Sequence, residues 1–178
     1  MPTTPRGAPY PSLASANDPP RDLQLLAEWA DAQLETLDDA TFKRRGFTLP
    51  EPFSVTNSSV GNTAIPALTT SFAVQAGRLY RITVQITTYS TTVQDVAQFR
   101  LDVSGLGQVG EFPRAANSAR DTALTANAHT LVAYCVSPTA GTRTVTVYVS
   151  RPVGTGTVTA MADALKRASC LVEDIGAA

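Results

Sequence analysis

The sequence is poor in the residues that carry most protein chemistry: its 178 residues include one histidine, two cysteines and one tryptophan. Charged residues make up only 16% and the formal net charge is −1, which argues against a general affinity for nucleic acid or anionic lipid. No apolar run approaches the roughly 20 residues of a membrane span, and the N-terminus lacks the apolar stretch of a secretory signal. We therefore expect a chain that is made in a cytoplasm, stays soluble there, and binds neither nucleic acid nor membrane.

Catalysis needs titratable groups that converge, and the sequence offers few of them. His129 lies in a predicted loop, without a motif that would place an orienting carboxylate and a nucleophile beside it. Cys135 and Cys170 lie in apolar strand patterns and are predicted as buried thiols, so they cannot form a zinc site with a single histidine. Glu173 and Asp174 lack the oxygen-rich loop of a calcium site. We predict that the chain is not an enzyme and has no catalytic residue, metal ligand or cofactor.

Proline dominates the first 20 residues, at positions 2, 5, 9, 11, 19 and 20. Each proline fixes the φ angle and removes a backbone donor, so the segment 1–20 is predicted to be an extended arm. Such an arm becomes ordered on a partner or remains a solvated tail. Tyr10 and Leu13 are its only sizeable apolar side chains, and we predict that they anchor it to a partner.

The segment 21–46 is predicted to be one amphipathic helix with a narrow apolar stripe. Lys43, Arg44 and Arg45 would lie at its C-terminal end, where cations are favoured, and Gly46 would end it. A stripe this narrow is typical of self-association between two or three copies, whereas the alternative is packing of the helix on the following domain. The stripe residues follow one another at steps of three or four: Leu23, Leu26, Ala30, Leu34 and Leu37.

Pro50 and Pro52 indicate a linker over 47–53, and the remainder, 54–178, contains about eight short alternating segments separated by turn residues. This pattern predicts a mainly β protein, an antiparallel β-sandwich of jelly-roll type, with an immunoglobulin-like sandwich as the alternative. The segment 130–136 is apolar on both faces. It is therefore predicted to be buried on both sides, between two sheets or at a subunit interface.

Several segments resemble small surface proteins of tailed actinobacterial phage particles, which are known as head fibre, capsid decoration or minor tail proteins. The similar segments are 6–12 (RGAPYPS), 17–30 (NDPPRDLQLLAEWA), 73–84 (AVQAGRLYRITV), 141–149 (GTRTVTVYV), 154–159 (GTGTVT) and 171–176 (LVEDIG). The resemblance implies a trimeric jelly roll, similar to that of tumour necrosis factor, on the particle surface and without a cofactor.

These observations lead to one hypothesis and two alternatives. The hypothesis is a homotrimeric capsid decoration protein, made in the host cytoplasm, whose arm binds the major capsid protein on the capsid exterior. The first alternative is a tail fibre or minor tail protein that binds the host surface, with a host-surface glycan as a candidate partner. The second is a carbohydrate-binding module or small hydrolase, for which Tyr89 and Phe112 are the candidate exposed aromatic residues.

Overall fold

The computed structural model describes residues 26–30, 32, 43–116 and 126–178. The chain divides into two compact units, Met1–Phe42 and Lys43–Ala178. In the first unit the described residues are α-helical, in agreement with the predicted helix, and they include Leu26 and Ala30. The other residues predicted to anchor the arm or to form the stripe lie outside the described part of the chain: Tyr10, Leu13, Leu23, Leu34 and Leu37.

The predicted end of the helix at Gly46 is wrong, and so is the predicted linker over 47–53. Strand β1 occupies Lys43–Thr48 and pairs with the last strand of the chain, so that Phe47 faces Leu171 in the register. Strand β2 begins at Phe53, within the predicted linker. Local sequence favoured a helix end at the three cations, but pairing with a distant strand overrides this preference.

The described residues of the second unit form eleven strands and one 3-10 turn, Pro66–Leu68. The eight predicted strands are confirmed by the strands from Thr70 onward, whereas the strands Lys43–Thr48, Phe53–Asn57 and Thr63–Ala64 were not predicted. The strands are β1 (Lys43–Thr48), β2 (Phe53–Asn57), β3 (Thr63–Ala64), β4 (Thr70–Val74), β5 (Arg78–Ser90), β6 (Val96–Val103), β7 (Gly107–Ala115), β8 (Asn127–Ser137), β9 (Gly141–Val153), β10 (Val158–Ala162) and β11 (Ser169–Ala177).

The strands form two antiparallel sheets. In the six-stranded sheet the order is β1-β11-β5-β10-β2, and β8 also pairs with β5. In the five-stranded sheet the order is β3-β9-β6-β7, and β4 also pairs with β9. The chain passes repeatedly from one sheet to the other, for example from β4 to β5 and from β5 to β6, in the manner of a jelly roll. The predicted fold class, a mainly β antiparallel sandwich of jelly-roll type, is confirmed.

The core lies between the two sheets, because buried and more exposed positions alternate along much of the long strands. Tyr80, Ile82 and Val84 of β5 point inward, as do Phe99 and Leu101 of β6, and all five are fully buried. Full burial of such side chains stabilises the fold by roughly 1.5–3 kcal/mol each. The sandwich is thus a rigid support for whatever its two outward faces present.

Candidate interaction surface on the six-stranded sheet

The most unusual feature of the sandwich is the outward face of β8. Leu131, like its neighbours at alternate inward positions, is buried, whereas Val132, Tyr134 and Val136 are 39%, 54% and 43% exposed. The strand was predicted to be buried on both sides, and burial of both faces between sheets is wrong. Among the described residues no third layer covers the outward face. Burial of that face at a subunit interface stays a prediction.

The register extends this apolar strip across the sheet. Val132 pairs with Thr83 of β5, Thr83 pairs with Leu171 of β11, and Leu171 pairs with Phe47 of β1. Partners in an antiparallel register lie on the same face, so the four side chains form one row across four strands. Phe47 is 47% exposed.

A second row lies beside the first, and three of its four residues are charged. Tyr134 pairs with Arg81, Arg81 with Glu173, and Glu173 with Arg44; Leu79 pairs with Val136 beyond this row. We call the following apolar residues together the apolar face: Phe47, Leu79, Val132, Tyr134, Val136 and Leu171. Exposed apolar groups that are clustered, rather than scattered singly, are typical of a binding surface. The apolar face is therefore the candidate functional site of the sandwich.

The charges that lie among these apolar residues are only partly neutralised within the chain. Arg81 donates from Nη2 to Glu173 Oε2 at 2.8 Å, across the pairing of β5 with β11. The guanidinium of Arg44 lies 5.1 Å from the ring centre of Phe47, a cation–π contact that leaves its positive charge in place. A second surface could therefore cover the pair of Arg81 and Glu173 without leaving an isolated charge at that position.

The outward face of the five-stranded sheet has the opposite character. Arg100 of β6 donates to Asp102 at 2.8 Å, and its guanidinium lies 4.6 Å from the ring centre of Tyr148 on β9. Gln98 donates to Glu111 of β7 across the same face. These polar side chains pair with one another and remain partly exposed, although within the described residues Nε of Arg100 and Oδ1 of Asp102 have no hydrogen-bond partner. The two sides of the sandwich therefore differ, with one suited to contact and the other to water.

A buried carboxylate fixes the edge of the sheet that carries Phe47. Asp174 of β11 is fully buried and accepts hydrogen bonds from Arg45 of β1 and Arg78 of β5. Burial alone would raise the pKa of Asp174, but the hydrogen bonds from Arg45, Arg78 and the Gly176 amide hold it below its ordinary value. The ion pair fixes β1 in the sheet. A linker at this place in the chain would have needed no such contact.

The histidine singled out in the sequence lies in strand β8, not in a loop. His129 is buried, its ring centre lies 5.8 Å from that of Phe99, and Nε2 lies 2.7 Å from the hydroxyl of Thr88. That hydroxyl donates its hydrogen to the carbonyl of Ala116, so Nε2 of His129 is the donor to Thr88. Burial, followed by the charge of Arg114, lowers the pKa of His129 to about 4. The geometry is that of a structural histidine.

The two thiols are buried, as predicted. Cys135 of β8 and Cys170 of β11 are free, and burial raises the pKa of each. Within the described residues, no three histidine, cysteine or carboxylate side chains converge on a position where a metal ion could bind. The same residues contain no helix with the length and apolar character required to cross a membrane.

Sequence reasoning missed Phe47 and the Asp174 ion pair. The prolines at 50 and 52 drew attention to a linker, and strand β1 is too short to show a clear alternation. The available signal was the single large apolar residue Phe47 among polar neighbours, two residues after Arg45. Its partners on β11 lie more than a hundred residues away, which no local pattern reveals.

Comparisons with known proteins give a likeness of fold and no family. No family model matches the chain, and no curated protein matches it. A solved structure of the tumour necrosis factor Eiger from S. frugiperda is 11% identical, with a TM-score of 0.48; the match covers 77% of this chain and 94% of that one. The VP2 protein of infectious bursal disease virus, from T=1 particles, is 12% identical with a TM-score of 0.41 over 79% of this chain but only 37% of VP2. The module TmCBM61, solved with β-1,4-galactotriose, is 13% identical with a TM-score of 0.35, covering 77% and 91%.

Proposed function

We propose that the chain is a structural protein of a phage particle, a homotrimeric capsid decoration protein whose copies meet through the apolar face. The observation that carries the proposal is the row of Val132, Thr83, Leu171 and Phe47, which continues across four strands on one exposed side of a rigid sandwich. The polar five-stranded sheet then faces outward.

Magnitudes favour contact between copies of moderate strength. The four most exposed side chains of the apolar face are each about half exposed, and burying the exposed part contributes on the order of 1 kcal/mol per side chain. Where the β8 side of one copy meets the β1 side of the next, each contact buries these four side chains once, for a total of about 4 kcal/mol. This total offsets the lower end of the association cost, about 4 kcal/mol. We therefore expect an oligomer whose affinity depends on each of these four side chains, reinforced by the helix that precedes the sandwich.

The extent of the apolar face suits a closed ring of copies. Because the face reaches from β8 to β1, each copy can present its β8 side to one neighbour and its β1 side to the other, as a closed ring requires. In this arrangement Tyr134 and Phe47 belong to opposite sides of each contact. The number three itself comes from the resemblance to phage surface proteins.

Residues ahead of Lys43 supply the attachment in this proposal. Tyr10 and Leu13 anchor the proline-rich arm to the major capsid protein, and the stripe that includes Leu26 and Ala30 joins the helices into a short stalk. A trimer presents three arms at once, so that individually weak contacts become durable through effective concentration. The protein thereby bridges shell subunits without performing a reaction.

Copy number on purified particles tests the proposal against the tail alternative. Quantitative mass spectrometry with an isotope-labelled standard of this chain measures copies per particle relative to the major capsid protein. Decoration predicts hundreds of copies. A value in single digits or low tens would overturn decoration and support a tail fibre or minor tail protein that binds the host surface.

A further inference from the structure

A small polar groove lies on the six-stranded sheet at the point along β5 where its neighbour changes from β11 to β10. Strand β11 pairs with β5 as far as Gln85, and β10 takes over at Thr87. The excursion between β10 and β11, residues 163–168, bridges this change, and its Arg167 lines a groove of about 270 Å³. The groove therefore arises from the topology of the sheet.

The floor of the groove carries uncharged hydrogen-bonding groups. Gln85 and Thr87 of β5 face Thr130 and Ala128 of β8 in the register, and all four residues line the groove. They supply one amide and two hydroxyls beside a methyl group. Such a set can both donate to and accept from a ligand that carries several hydroxyls.

The guanidinium at the wall is unusual among the arginines of the described residues. Each of the others contacts a carboxylate, a backbone carbonyl, a hydroxyl or an aromatic ring: Arg44, Arg45, Arg78, Arg81, Arg100, Arg114, Arg143 and Arg151. Within the same residues Arg167 has neither an ion pair nor a hydrogen bond, and it is exposed. A planar, forked cation in this state is suited to a carboxylate or another planar anion.

We propose that this groove binds an acidic sugar, a uronic acid residue of a surface glycan. Its carboxylate pairs with Arg167, and its ring hydroxyls hydrogen-bond to Gln85, Thr87 and Thr130. The volume is close to the lower limit of ligand pockets, about 300 Å³, so it fits one sugar residue and not a long chain. The groove lies beyond Thr83, at the margin of the apolar face, and the inference adds a ligand to the proposed particle protein.

Saturation-transfer NMR of the full chain with glucuronate, galacturonate and neutral glucose tests the inference. We expect a uronate to bind with a dissociation constant on the order of 1 mM, as is ordinary for so small a ligand, and glucose to bind more weakly still. Arg167→Ala should weaken uronate binding at least about tenfold, because the charge-assisted pair is lost. Thr130→Val should weaken binding of the sugar while leaving the guanidinium in place.

Lys166→Ala is the matched control, since it removes an adjacent exposed cation that does not line the groove. It should leave the dissociation constant unchanged. Equal losses in Lys166→Ala and Arg167→Ala would overturn the inference by showing only a general attraction of anions. Inorganic phosphate that binds as tightly as the uronate would overturn it as well. So would the absence of uronate binding at a ligand concentration about ten times the expected dissociation constant. Sedimentation of the same samples reports self-association separately, so failure here is distinct from failure of the proposed function.

Discussion

The carboxylate of Asp174 lies 2.9 Å from Nε of Arg78, inside the sheet and out of contact with water. Arg45 reaches the same carboxylate from the other side at 2.8 Å. One buried group thus ties β5, β11 and the first strand together, and β1 carries the Phe47 end of the apolar face. The integrity of the proposed contact surface depends on an ion pair on the opposite side of the sheet.

Asp174→Asn should destabilise the sandwich by about 3 kcal/mol, because it removes the carboxylate that two largely buried guanidinium groups share. Urea unfolding monitored by circular dichroism measures the free energy of unfolding. Asp102→Asn is the control, since the pair with Arg100 is partly exposed and should cost less than about 1 kcal/mol.

The same ion pair predicts a pH dependence of known sign. The pKa of Asp174 is lower in the folded chain than its ordinary value of 3.8, so folding favours the ionised form. Its contribution to stability is fully present above that value and is lost as the pH falls through the lowered folded pKa. The difference in unfolding free energy between the native chain and Asp174→Asn should be constant above about pH 5 and shrink below pH 4. If this difference in unfolding free energy increased below pH 4, it would contradict a lowered pKa for Asp174 in the folded chain.

Two truncations test where the sandwich begins. A chain starting at Lys43 keeps β1, whereas one starting at Pro50 loses it together with Arg45 and Phe47. We expect the chain starting at Lys43 to retain the unfolding midpoint of the full protein. The free energy of unfolding of the chain starting at Pro50 should be several kcal/mol lower, because β11 loses a neighbour and Asp174 loses one of its two guanidinium partners. Equal unfolding midpoints for the two truncated chains would show that residues 43–49 do not stabilise the sandwich, as expected of a linker.

His129 offers a direct spectroscopic prediction, because it is the only histidine in the chain. Its imidazole signals should titrate near pH 4, not near the ordinary value of 6.5, because burial disfavours the charged ring. Between pH 4 and pH 6.5 the imidazole is therefore protonated in the unfolded chain but neutral in the folded chain. The contribution of His129 to the free energy of unfolding is fully present above pH 6.5 and falls as the pH is lowered toward 4. A midpoint near 6.5 would show that the ring is exposed to water.

The sequence predicted the parts of the fold that are encoded locally. Alternation in β5, β6 and β9 is regular, and the turn at Gly77 requires a positive φ that glycine adopts freely, so those strands and the jelly-roll class follow from short patterns. The segment 43–48 shows the limit, since its structure depends on Asp174 and Leu171, which only the folded chain brings near. The outward residues of β8, which make up half of the apolar face, were visible in the sequence, whereas Phe47 was not.

The central claim is that copies of the chain meet through the apolar face, and sedimentation equilibrium of the full protein tests it most directly. The native chain should sediment at three times its mass of 18.8 kDa, and Tyr134→Arg should sediment as a monomer with an unchanged circular dichroism spectrum. Thr146→Arg, which places the same charge on the outward face of the five-stranded sheet, should remain trimeric. A native chain that stays monomeric at high micromolar concentration, or a Tyr134→Arg variant that associates as the native chain does, would contradict the account.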